Sequence, residues 1–252
     1  MDTGIDIKKR LRELSDKAYR ENRYVFTDFV NISQLSTYYE MKSEFSNAGS
    51  EAFGGVENAE RCIIRFGDAD MFGYEEDYPI TLLKISPVNR RFADKLSHRD
   101  FLGSIIGLGL EREKIGDIIV NDESSCYVFV MDNVAEYIIQ NLGFVKHTNV
   151  KVEICDETPT EVKPKLSEMD VIVSSNRLDA IIAKVYNMSR EVSVRHIAEG
   201  KVFLNGIVMT GNAKSLKSGD VVSVRGYGKF VFNREGGNTR KDRLYVNISK
   251  YV

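Results

Sequence analysis

Apolar positions along the chain change period several times, and each change marks an element. Ile7, Leu11, Leu14 and Ala18 recur at helical spacing. Thr27 or Asp28 is then placed to cap a second helix, and an aromatic-rich helix is predicted over Leu35–Phe45. Gly54-Gly55 leads into an apolar run, Arg61–Phe66, that reads as a strand. No lysine or helix start follows in phosphate-loop order, so the two glycines predict a tight turn. Runs at Thr81–Ile85, Asp117–Val120, Cys126–Met131 and Val150–Ile154 predict four more strands. Between them, Phe92–Leu96 with Phe101–Leu108 and then Asn133–Leu142, with Gly143 placed to end it, carry helical spacing. The order β-α-β-β-α-β predicts a split βαβ sheet with two helices on one face. Tyr127 and Phe129 share one strand face. On an open sheet they would stack bases; without an RNP1 pattern and its basic start, packing under a neighbouring domain is the expectation.

Further on, Leu178, Ile181, Ile182 and Val185 form one apolar helical stripe that Asn187 is suited to stop. Ser189 is placed to cap a second helix ending at Gly200. The segment 202–204, the pair Asn205-Gly206 and Ile207-Val208 spell a hairpin with a two-residue turn. Ser218-Gly219-Asp220 turns the chain into the strand Val221–Val224, and the alternation around the basic loop of Arg234, Arg240, Lys241 and Arg243 suits a last hairpin. Two polar stretches, 67–79 and 156–170, carry no apolar period and read as boundaries. The chain therefore reads as α+β in three parts. These are a mixed region over 1–79, a βαββαβ domain over 80–158, and two helices with a small sheet and C-terminal hairpin over 170–252.

Composition adds limits. With 252 residues, 42% hydrophobic and 29% charged, the chain can close real cores, which excludes wholesale disorder. No apolar run nears the roughly 20 residues of a membrane span, and the first residues lack a signal-peptide core, so a cytoplasmic protein without a membrane span is expected. Cys62, Cys126 and Cys155 fit neither a disulfide framework nor a zinc knuckle and are expected to be plain buried residues; no metal site is predicted. The net charge of −2 hides a gradient. Residues 1–79 sum to −6, residues 80–164 to −3, and residues 165–252, with 15 Lys and Arg against 8 Asp and Glu, to +7. A phosphate-bearing partner is the first expectation for that end.

The placement of its cations supports this. Arg177, Lys184, Arg190, Arg195, Lys201, Lys214, Lys217, Arg225 and Lys229 fall outside the apolar stripe, and the amides after Ser189 lie at a helix start that favours a phosphate. From Arg177 to Phe230 the elements RLD, SR, GKVFLNG, LKSGD and VSVRG resemble, in order, the RNA-binding module named after ribosomal protein S-four. Upstream, GGVENAER and LSHRDFLGSIIGLGLEREKIGDIIV are similar to the YlmH family, in which an N-terminal region and an RRM-like domain precede that module. The resemblance implies RNA binding without known catalysis, on the large ribosomal subunit and its tRNA. It also implies a part in rescuing stalled nascent-chain complexes and a link to cell division. By similarity to the module, Arg177, Ser189, Arg190, Lys201 and Asn205 are placed against RNA, with Asp179 orienting a neighbouring arginine. Lys184, Arg195, Lys214 and Arg225 join them on the basic face.

Catalytic signals are weaker. His98-Arg99-Asp100 spells a kinase triplet, yet no DFG follows and no glycine-rich loop with its strand lysine precedes. Ser97 with Asp100 is explained as a helix cap, leaving His98 and Arg99 as secondary RNA-contact candidates. Gly107–Gly109 follows a helix where a methyltransferase loop would follow a strand, and only 73 residues lie beyond Asp179, too few for a pseudouridine synthase sheet. No catalytic residue and no small-molecule cofactor are predicted. An RNA-modifying enzyme and a protein-interaction scaffold are the alternatives.

Overall fold

The computed structural model describes residues 4–57, 59–156, 159, 166–239 and 242–251, without the side chains of 4–6. Two compact units result, Met1–Lys163 and Pro164–Val252. The first opens with α1 (Gly4–Glu21), β1 (Val25–Phe26), α2 (Ile32–Met41), β2 (Ser50–Phe53), β3 (Ile63–Phe66) and the short α3 (Ala69–Phe72). The three strands form an antiparallel sheet in the order β1-β3-β2. Leu11, Ala18, Tyr38, Phe45 and Phe66 are buried together beneath it. The predicted cap of the second helix is corrected. Asn31 caps α2, accepting from the Ser33 and Gln34 amides while Gln34 reaches back to the Asn31 N–H. Thr27 is instead buried and takes the Ile64 N–H at 2.9 Å, and Asp28 holds the Lys114 ammonium at 2.7 Å.

The second half of this unit runs β4 (Ile80–Pro87), α4 (His98–Ile106), β5 (Ile115–Val120), β6 (Cys126–Met131), α5 (Asp132–Asn141), β7 (Phe144–Val145) and β8 (Thr148–Ile154). Its antiparallel sheet has the order β5-β6-β4-β8-β7, the βαββαβ arrangement with one extra short strand. Leu83, Ile85, Val128, Val130 and the helix residues Phe101, Ile105 and Ile138 are buried in one core. Phe92 does not extend the helix; it ends a 3-10 turn, 76% exposed.

Two residues from the first half, Phe29 and Ile63, belong to this same core. The Gly54-Gly55 turn explains part of the join. Gly55 has φ +92°, and a Cβ there would stand 2.3 Å from the Phe129 ring. Only a glycine lets the backbone lie on that ring. Phe129 and Tyr127 are both buried, so packing, not base stacking, is what they do. Arg61 adds a polar clamp, donating to the carbonyls of Ile115, Phe29 and Arg112 while its amide and that of Glu60 are held by Asp117.

The second unit contains β9 (Leu166–Val173), α6 (Leu178–Val185), α7 (Arg190–Ala198), β10 (Val202–Leu204), β11 (Ile207–Val208), β12 (Val221–Val224), β13 (Gly228–Asn238) and β14 (Leu244–Tyr251). All six strands join one antiparallel sheet in the order β11-β10-β12-β13-β14-β9. It is larger than the small sheet expected, because β9 begins inside the stretch read as a linker and pairs along the length of β14. Leu178, Ile181, Ile182, Ile197, Val222, Phe230 and Ile248 are buried between helices and sheet. Asn205 and Gly206 both have positive φ, 51° and 80°, as a tight hairpin turn requires.

Candidate nucleic-acid interface

The start of α6 is clasped by the loop before β12. Leu178 N–H donates to Lys214 O at 2.8 Å, Asp179 N–H to Asn212 O at 3.4 Å, and the Asn176 amide exchanges bonds with the Leu216 backbone. These bonds satisfy donors that a helix start leaves open. Arg177 is the N-cap of α6 and Arg190 the first residue of α7, where the Ser189 hydroxyl takes the Val192 N–H at 3.2 Å. Ser193 Oγ donates to Asp179 O at 2.9 Å, which holds α7 against the start of α6.

Both arginines therefore meet at one carboxylate. Asp179, 1% exposed, accepts from Arg177 Nε at 3.1 Å, Arg177 Nη2 at 3.2 Å and Arg190 Nε at 2.9 Å. Its Oδ1 also takes the Ala180 N–H. Burial pushes the Asp179 carboxyl up, and the hydrogen bonds and charges of Arg177 and Arg190 outweigh it, so the pKa lies below the usual carboxylate value. Two cations answered by one anion leave a net positive charge at this point. The side chains of Arg177 and Arg190 are 35% and 52% exposed. With Nε engaged on Asp179, each guanidinium is fixed in direction and still open to solvent.

The other sequence candidates divide by place. Ser189 and Lys214 are exposed beside the two arginines, through the Val192 cap and the Leu178 bond respectively. Lys184 is exposed in the last turn of α6 and Arg195 in the last turn of α7. Lys201 and Arg225 are neighbours at the far end of α7, joined by the Arg225 N–H to Lys201 O bond at 2.9 Å, and Lys201 pairs with Glu199 at 2.7 Å. A nine-residue helix is about 13 Å long, so they stand apart from Arg190. One convergent cluster of Arg177, Arg190 and Lys201 is thus corrected to a tight pair plus a separate patch. The Asn205 amide is spent on the fold: Nδ2 donates to Asp220 and Oδ1 accepts from Val221 N–H. His98 and Arg99 are exposed at the start of α4, while Asp100 next to them takes the Ser97 N–H and hydroxyl and pairs with Lys146 at 2.9 Å. Those contacts bring the Asp100 carboxyl down to about 2, the Ser97 hydroxyl contributing most. Arg240 and Lys241 lie outside the described residues.

Among the described residues, no group of three or more His, Cys, Asp and Glu is placed to hold a metal ion. No helix among these residues is long and apolar enough to cross a membrane. Cys62 and Cys126 are buried and Cys155 is partly so.

A family model described as "Putative RNA-binding domain in YlmH" matches residues 74–159, the stretch from just before β4 to just after β8. Over nearly the full length the chain is 29% identical to "Ribosome-associated protein quality control protein P2" of Bacillus subtilis, across 254 aligned residues covering 99% of this chain and 93% of that protein. The chain is thus similar to the YlmH family, through its central stretch by the family model and along its length by this relative. A solved structure, "Cell division protein ylmH from Streptococcus pneumoniae", is 20% identical, covers 59% of this chain and 88% of that one, and has a TM-score of 0.47. The YlmH family model names the RRM-like half, whereas most sequence candidates fall in the other unit. On that half the sheet face away from α4 and α5 carries Lys84, whose ammonium is 5.5 Å from the Tyr127 ring centre. The exposed turn Arg90-Arg91-Phe92 beyond β4 was missed as well, because its apolar residue fitted a helical period.

Proposed function

We propose that this YlmH-like chain is an RNA-binding protein without catalytic activity. It docks in the cytoplasm on structured RNA of the large ribosomal subunit, ribosomal RNA or tRNA, and takes part in quality control of stalled ribosomes. The observation that carries the reading is the pair Arg177 and Arg190, held on buried Asp179 with their outer N–H groups in solvent, in a unit of net charge +7. Preset guanidinium forks suit phosphate oxygens, and the helix starts behind them add the favourable end of the dipole. Phosphate neutralisation and shape suffice for such docking; base readout is not required. The full-length relative, whose name links it to ribosome-associated quality control, supports the choice of the ribosome.

Alanine at both arginines alone would strip a buried carboxylate of its partners and confound binding with stability. The test is the triple variant R177A/R190A/D179N, which removes the two cations and the anion together. Co-sedimentation with large ribosomal subunits should weaken about tenfold or more, with the far-UV spectrum retained. Unchanged co-sedimentation of a folded triple variant would overturn the assignment.

A further inference from the structure

The far end of α7 carries a second arrangement that the phosphate-gripping pair does not explain. Tyr227 sits in the turn between β12 and β13, its N–H bonded to Val224 O at 2.9 Å and its ring 44% exposed. The glycines on either side, Gly226 at φ +86° and Gly228 at φ +108°, hold the turn in a backbone shape other residues resist, and a Cβ on either would meet nothing within 4 Å. The backbone on either side of the half-exposed residue is therefore uncrowded. Beneath it the His196 ring lies at 5.2 Å and the Tyr186 ring at 5.6 Å between centres, and Tyr186 packs in turn on buried Phe230. Tyr186 Oη and both ring nitrogens of His196 are buried without a hydrogen-bond partner, the Glu199 carboxylate standing 3.9 Å from His196 Nδ1. Buried polar atoms left this way are uncommon in a domain chosen for stability alone.

Cations ring the cluster. Lys201 follows His196 through its N–H to His196 O bond at 3.0 Å, Arg225 is bonded to Lys201, and the Lys250 ammonium stands 5.1 Å from the Tyr186 ring centre. Glu199 pairs with Lys201 at 2.7 Å, and the three cations together make the patch positive as well as aromatic. A half-exposed aromatic ring framed by lysine and arginine suits one kind of ligand: an unpaired nucleotide, base on the ring and phosphate on the cations.

We propose that Tyr227 is a stacking platform for an unpaired base of the bound RNA, with Lys201 and Arg225 on the adjoining phosphates. This rests on the RNA-binding reading above and adds that the RNA presents a single-stranded nucleotide at this end of the unit. The chain has no tryptophan, so Tyr227→Trp gives a single indole reporter. Two end-labelled probes of equal length are used, a stem closed by an unpaired loop and a fully paired duplex, with affinity read by anisotropy and stacking by tryptophan quenching. Both probes should bind, with quenching from the loop alone. Tyr227→Ala should weaken the loop probe about tenfold and leave the duplex unchanged, while Tyr227→Phe keeps wild-type affinity. Equal quenching by both probes, or an unchanged loop affinity in Tyr227→Ala, would overturn the platform while leaving the phosphate reading intact. Absence of binding of either probe to the wild-type chain would sink both.

Discussion

At the scale of single residues, Asp179 decides what the arginines around it can do. A buried carboxylate shared by two guanidinium groups fixes their direction, so in the proposed docking on RNA the residue acts through Arg177 and Arg190. Asp179→Asn should cost the second unit about 1–3 kcal/mol, since the variant keeps an acceptor but loses the charge. The pH dependence has a definite sign. Burial opposes ionisation, the two arginines more than reverse it, and the folded-state pKa ends below the unfolded value of about 3.9. The stabilisation is therefore complete above that value and disappears as pH falls through the lower, folded-state pKa. Urea midpoints should show a wild-type advantage over Asp179→Asn that is constant from about pH 7 to 5 and shrinks below about pH 4. A constant gap down to pH 2 would contradict this. The resemblance to the S-four-type module implies that Asp179 orients a neighbouring arginine, and Arg177, two positions away, is one that it holds. Arg190, eleven positions on, reaches it only because Ser193 docks one helix on the other.

At the scale of elements, local signals were legible wherever the partner was also local. The stripe Leu178–Val185, the Ser189 cap and the Asn205-Gly206 turn all fold as their sequences require. Failure came where a distant strand claimed the signal. Thr27 and Asp28 both suit a helix cap, but β3 takes the hydroxyl and Lys114 the carboxylate, so the helix is capped by Asn31 instead. β9 was hidden for a related reason: as an edge strand it buries only Val171 and Val173, and its other positions read as linker. Gly55 shows the same limit, since a turn is written in the sequence and a close approach to Phe129 is not. Gly55→Ala combines a strained φ with a 2.3 Å clash and should destabilise the first unit by about 2–4 kcal/mol. Phe129→Ala in the same chain should relieve part of that cost, so a double-mutant cycle measured by chemical denaturation should be non-additive by more than about 0.5 kcal/mol. Additivity would mean that the two residues do not press on each other.

At the scale of the whole molecule, the chain divides into two compact units, Met1–Lys163 and Pro164–Val252, and within the first Phe29 and Ile63 share a core with the later strands. The buried residues of the second unit's core all come from within it. Residues 164–252 expressed alone should therefore give a cooperative unfolding transition and dispersed amide resonances. Residues 80–158 alone lose Phe29, Ile63 and the Arg61 clamp, and should bind a hydrophobic dye and unfold without a sharp midpoint. The reverse pattern would refute the division. Charge follows the same line. The first unit sums to −9, with 20 Lys and Arg against 29 Asp and Glu, and the second to +7. A polyanion meets attraction at one unit and net repulsion at the other, so phosphate neutralisation by the second unit is the claim on which the functional account stands. Its direct test is the affinity of the full chain for ribosomal RNA plotted against salt, both axes logarithmic, for wild type and R177A/R190A/D179N. The account predicts a steep line for wild type and a slope shallower by about 1.4–1.8 for the variant, two phosphates at about 0.7–0.9 each. Parallel lines, or a wild-type line without slope, would contradict it.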